Sequence, residues 1–119
     1  MEEISNIRDL EREKLEKTAE RIRDGISGNN FPLVLKYKEY MASTLAKWEA
    51  LHLQVANLSA ISISTGPMKQ MHQEVLDIAY KADIEADNYY NELKKKKKEE
   101  RQAERALRNA ELRAEQAKK

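Results

Sequence analysis

A chain of 119 residues has room for one domain, and a composition of 36% charged and 6% aromatic residues, with three glycines and two prolines, permits few turns. That balance favours a few long, well-solvated helices over a sheet. With no cysteine, disulfides and thiolate metal sites are excluded, and no apolar run approaches the roughly 18 residues of a membrane span.

The first predicted helix runs from about Ile4 to Ile26. Ile4, Ile7, Leu15, Ala19, Ile22 and Ile26 form an apolar stripe at helical spacing, with Leu10 off it and charged residues on the other face. Ser5 or Asn6 is placed to cap its start. Gly25, Gly28 and Asn29-Asn30 supply the stop and the turn.

A second helix is expected over about 31–62. Asn29 or Asn30 serves as its cap, and Pro32 falls in the first turn, where its missing N–H costs nothing. Val34, Tyr37, Met41, Thr44, Trp48, Leu51, Val55 and Leu58 step by alternating threes and fours, a heptad seam. Leu33, Tyr40, Leu45 and His52 widen that seam, which makes this helix the central element. The pattern weakens at Ser59–Ser64, where the helix either frays or gives way to a short extended piece.

Gly66-Pro67 marks the start of a third helix. Met68, Met71, Val75, Ala79, Ala82, Ala86, Tyr89 and Leu93 form its inner face. The same register passes through Lys96 and Glu100 and recovers at Ala103, Leu107, Ala110, Ala114 and Ala117, so one uninterrupted helix is predicted to Lys119. Glu104–Arg108 and Glu115–Lys119 would support it as pairs one turn apart.

These elements give an all-α fold of three helices: a long antiparallel, coiled-coil-like hairpin, a shorter N-terminal helix packed on it, and a projecting basic C-terminal helix. Tyr37, Met41, Trp48, Leu51, Val55, Val75, Ala82 and Tyr89 are its expected core seam. A helix of about 30 residues is roughly 45 Å long, so helix two can cover helix three only to about residue 97. The expected division is therefore a helical body over 1–97, with helices near 4–26, 31–62 and 67–97, and a charged extension over 98–119.

Charge follows the same division. Residues 1–93 carry 11 basic and 16 acidic side chains, whereas residues 94–119 carry 11 basic and 5 acidic, so a body of −5 bears a tail of +6. Two surfaces of that tail are candidates for binding. The small apolar stripe of Ala103, Leu107, Ala110 and Ala114 suits another helix, from a second copy or another protein. Lys94, Lys95, Lys96, Lys97 and Lys98, followed by Arg101, Arg105 and Arg108, suit a phosphate backbone. Glutamates interrupt that basic surface, and no aromatic residue follows Tyr90, so bases could not stack there.

Chemistry is sparsely represented. Glu49 and His52 have the Glu-x-x-His spacing of helical two-metal sites, but the second such motif and further glutamates are missing. Asp83, Glu85 and Asp87 form an acidic patch, read as a solvated face or as ion pairs to helix one. There is no phosphate-binding glycine loop. Asn57-Leu58-Ser59 fits a glycosylation sequon but falls in a predicted helix. The expectation is a non-enzymatic interaction, adaptor or scaffold protein without cofactor, metal, membrane or small-molecule substrate. The alternatives are a nucleic-acid-binding accessory protein and a small inhibitor that binds another protein through its acidic body. With no secretion-signal pattern at the N-terminus, no membrane span and no cysteine, an intracellular location is expected, in no particular compartment.

Overall fold

In the computed structural model, which describes residues 2–117, the chain forms three helices: α1 (Glu2–Ser27), α2 (Phe31–Leu58) and α3 (Gly66–Ala117). No helix among the described residues is long and apolar enough to cross a membrane. The chain divides into two compact units, residues 1–87 and 88–119.

Contacts in the first unit fix the helix directions. His52 and Glu49 of α2 meet Met68 and His72 of α3, while Lys38 meets Asp83 and Asp87. Numbers fall on one helix as they rise on the other, so α2 and α3 are antiparallel. Arg8 with His52 and Arg21 with Tyr37 make α1 antiparallel to α2. Arg12 with Glu74 and Arg23 with Glu85 make α1 parallel to α3.

The core lies where the three stripes meet. Leu15, Ile22, Trp48, His52 and Val75 are its largest fully buried side chains. Burying each aliphatic member contributes about 1.5–3 kcal/mol. Ala79, Ala82 and Ala86 line the α3 side, and Val55, Ala56 and Met68 close one end with help from Ile4 and Ile63. Of the expected seam, Met41, Trp48, Val55, Val75 and Ala82 are buried, whereas Tyr37, Leu51 and Tyr89 are half-buried.

Both turns use the same closing device. At the end of α1, Asn30 N–H donates to Gly25 O at 2.8 Å and Asn29 N–H to Ile26 O at 3.1 Å, with Asn29 at φ 52°. At the end of α2, Ile61 N–H donates to Ala56 O at 3.0 Å and Ala60 N–H to Asn57 O at 3.3 Å, with Ala60 at φ 53°. Each pair of bonds satisfies two of the carbonyls that a helix end leaves open, and each needs one left-handed residue. Asn30 then caps α2, its side chain accepting from Leu33 N–H at 3.3 Å.

Several boundaries differ from the sequence expectation. Helix α1 begins at Glu2, so Ser5 and Asn6 lie inside it and cap nothing. Gly25 also lies inside α1, where its role is contact: a Cβ there would sit 2.8 Å from Val34 Cγ2. Helix α2 ends at Leu58, not near 62, because Ala60 turns left-handed and Ile63 folds back toward Val55, Ala56 and Met68. Ile7, expected on the buried stripe, is 49% exposed, and Arg8 is buried in the stripe instead. The last two residues predicted for α3, and with them the Glu115–Lys119 pair, lie outside the described residues.

Candidate functional site

The second unit carries the two surfaces expected to bind partners. Its helical geometry follows from what the sequence omits, since no glycine or proline occurs after Pro67. Every residue from Lys94 to Ala117 is exposed. Ala103, Leu107, Ala110 and Ala114 recur at steps of four and three, which keeps them on one face. Leu107 is 62% exposed within that stripe. Arg101, Arg105 and Arg108 fall on the opposite face, joined there by Lys94, Lys97 and Lys98 at helical spacing; Lys95 and Lys96 point to other sides. Leu112, 57% exposed, sits on the arginine side and takes no part in the small-residue stripe. Lys94 places its ammonium 4.4 Å from the centre of the Tyr90 ring, a cation–π contact that orders the start of the lysine run.

Glu100, Glu104, Glu111 and Glu115 fill a third face, between the small residues and the arginines. Glu104 and Glu111 directly follow Ala103 and Ala110, so they border the small-residue stripe. Their position means that the stripe is flanked by negative charge on one side, although the tail as a whole is positive.

The titratable groups of the body form a separate, enclosed cluster. His52, expected to widen the seam of α2, is fully buried. Its Nδ1 lies 3.2 Å from Arg8 Nη1 and its Nε2 lies 2.9 Å from the Met68 carbonyl oxygen. The ring stacks on Trp48 with centroids 4.5 Å apart, and His72 lies 5.8 Å from Trp48 on the same indole. Burial pushes the His52 imidazole below its ordinary value; the charges of Arg8 and His72 push the same way, while the Met68 hydrogen bond opposes them. Trp48 Nε1 is buried without a protein acceptor.

The Glu-x-x-His pair does not converge. His52 turns to Arg8 and Met68, whereas Glu49 bonds His72 Nε2 at 3.1 Å. Among the described residues, no three side chains of His, Cys, Asp or Glu are grouped so as to hold a metal ion. The acidic patch on α3 also divides. Glu85 pairs with Arg23 of α1 at 3.0 Å, as expected, but Asp83 and Asp87 both reach Lys38 of α2. The hydrogen bond to Asp87 holds the Lys38 ammonium above its ordinary range.

Sequence reasoning missed Arg8. The signal was present: Arg8 stands one turn after Ile4 and two turns before Leu15, inside the apolar stripe. A charged residue on a buried stripe requires a buried partner, and His52 is that partner.

The chain matches no family model, no curated protein and no solved structure. Its own residues therefore carry the functional argument.

Proposed function

We propose that this chain is a non-enzymatic helical interaction protein that docks or assembles through the C-terminal part of α3. One observation carries the reading: residues 94–117 keep a helical small-residue stripe while every one of them is exposed. A helix of this length is marginal in water by itself, and a face of Ala103, Leu107, Ala110 and Ala114 allows a second helix to approach closely. Alanines bury little area each, at about 25 cal/mol per Å², so the contact is weak or repeated. The partner is another protein or a second copy. Two-fold pairing of copies along the stripe would bring Glu104 toward Glu111 in the antiparallel sense, which favours a partner with basic flanks.

The test is solution mass by light scattering for the full chain, for residues 1–93 and for Leu107→Glu, at low and high salt. A full chain heavier than both variants supports assembly through the tail. If all three are monomers, self-association is wrong, and only capture of a partner helix by the full chain and not by Leu107→Glu would sustain docking.

A second reading is favoured by the placement of Arg101, Arg105 and Arg108 on one exposed face after Lys94–Lys98. Basic groups in that arrangement follow a phosphate backbone with salt-dependent, sequence-independent affinity. Replacing Lys94–Lys98 by glutamine would weaken such binding and flatten its salt dependence; an unaltered slope would remove the lysines from the contact.

A further inference from the structure

The binding surfaces proposed above leave unused the one ionisable ring that is wholly enclosed. We propose that His52 is a proton-operated latch: as a neutral ring it ties α1 to the α2–α3 hairpin, and protonation releases the N-terminal half of α1.

Donors and acceptors around the ring decide its protonation. An arginine guanidinium can only donate, and a peptide carbonyl can only accept. His52 lies between one of each, with Arg8 Nη1 at 3.2 Å from Nδ1 and Met68 O at 2.9 Å from Nε2. Only one form of imidazole satisfies both: neutral, with hydrogen on Nε2 and a lone pair on Nδ1. A second proton, on Nδ1, would face the Arg8 N–H, donor against donor and cation against cation. With the ring fully buried, solvent has no access to relieve that conflict.

Three helices are joined at this point. Arg8 comes from α1, and its Nε also bonds Asp9 at 3.3 Å, which holds the guanidinium in place. His52 comes from α2, one turn after Trp48, on which it stacks. Met68 comes from the start of α3. The other charged or titratable groups facing the ring offer no compensation. His72, from α3, has its ring centre 6.0 Å away and would add positive charge. Glu49, from α2, has its carboxylate engaged by His72 Nε2 at 3.1 Å. Asp9 reaches Arg8, not the ring.

The direction of the pH response follows. Burial holds the His52 ring below its usual value of 6.5 in the folded protein. As pH falls through 6.5, the unfolded or released form takes up a proton first, so it binds more protons than the closed form. Closure is therefore strongest above 6.5 and weakens as pH falls from there toward the lowered folded value. Each unit of depression makes release about tenfold more favourable. Release would uncover the end cluster of Val55, Ala56 and Met68, against which Ile4 packs in the closed form.

The full chain tests this directly. Trp48 is its single tryptophan, and stacking against His52 makes its emission a local reporter of the imidazolium, which quenches indole fluorescence. Proton NMR of the histidine rings gives the titration itself. Amide protection of α1, corrected for intrinsic exchange and compared with that of α2, gives the release between about pH 7.5 and about pH 5, the range in which histidine changes charge. The expected result is a His52 titration below the free value and a loss of α1 protection at the lower pH that α2 does not share. His52→Gln carries a permanent acceptor and donor in place of the ring nitrogens, so its α1 protection should not respond. His72→Gln removes the weaker of the two opposing charges and should keep most of the response, which separates the two rings. Arg8→Gln removes the opposing charge and should raise the His52 titration and shrink the response, a readout that remains if His52→Gln fails to fold. A response that persists in His52→Gln, a His52 titration at or above the free value, or an Arg8→Gln that titrates like the parent would each overturn the latch.

Discussion

Helix α3 runs one register through two environments. Val75, Ala79, Ala82 and Ala86 are buried, whereas Ala103, Leu107, Ala110 and Ala114, which continue the same steps of three and four, are exposed. Composition hardly distinguishes the two sets. What differs is that the first set shares the core with large, fully buried side chains of the other helices, Leu15 and Ile22 of α1 and Trp48 of α2. Alanine on α3 works in the body because it leaves room for those side chains, and an alanine stripe creates no core by itself. Periodicity thus identifies a face, while the opposing surface decides whether that face is core or contact. Charge marks the same contrast, since residues 1–93 carry −5 and residues 94–119 carry +6.

Truncating one large residue in each region should give the largest difference between them. Trp48→Ala removes the largest fully buried side chain and should cost about 3–5 kcal/mol. Leu107→Ala, at a site 62% exposed, should change the stability of the isolated chain by no more than about 0.5 kcal/mol. Urea unfolding followed by circular dichroism measures both. A comparable loss from Leu107→Ala would mean that the stripe is buried in the folded monomer. Trp48→Phe should cost less than alanine, both because most of the volume stays and because an indole N–H without a protein acceptor is removed.

Next in size is Gly25→Ala. In an exposed helix this change gains about 1 kcal/mol. Here the added Cβ meets Val34 Cγ2 at 2.8 Å, and a β-branched side chain has little freedom to turn away. Overpacking costs about 1–3 kcal/mol, so the net effect should be a loss of about 1 kcal/mol in thermal or chemical unfolding. Pairing it with Val34→Ala should recover part of the loss by removing the obstructing methyl. If Gly25→Ala stabilises the chain, α1 and α2 approach less closely than this contact requires.

The elements that sequence made legible are those with local causes. Gly66-Pro67 and Gly28–Asn30 announce turns through backbone chemistry, and the Val34–Val55 seam announces a buried face through spacing. Arg8 and His52 were opaque for the opposite reason: their roles depend on a contact across 44 positions of sequence. Arg8 inside an apolar stripe signals a buried partner but does not identify which one. Lys38 shows the same limit, since the acidic groups of α3 could be expected to find a cation but not to choose α2 over α1. For the tail, sequence gives the stripe, the arginine face and the glutamates between them. Every residue from Lys94 to Ala117 is exposed, so the faces are legible while nothing in this chain shows what would cover them.

A smaller gain is predicted at the end of α2, where the expected boundary was also missed. A left-handed residue usually announces a helix stop because it is glycine. Here the residue is Ala60, at φ 53°, so no glycine marks Leu58 as the last helical position, and the weakening pattern at Ser59–Ser64 does not locate it. The conformation is imposed by the Ile61 N–H bond to Ala56 O at 3.0 Å and by Ile63 packing against Val55, Ala56 and Met68. Holding an L-residue left-handed costs about 1–2 kcal/mol, a strain that glycine avoids. Glycine also adds conformational freedom to the unfolded chain, which offsets part of that gain. Ala60→Gly should therefore stabilise the body by about 0.5–1 kcal/mol, read as a higher denaturation midpoint with an unchanged slope. The same substitution at Ala110, inside the exposed stretch of α3, should lower tail helicity by circular dichroism and leave the body midpoint in place. Opposite responses to one chemical change, a gain at a turn and a loss in an exposed helix, would separate the two regions by backbone conformation alone. A loss at Ala60 would mean that the alanine methyl makes contacts worth more than the strain it carries.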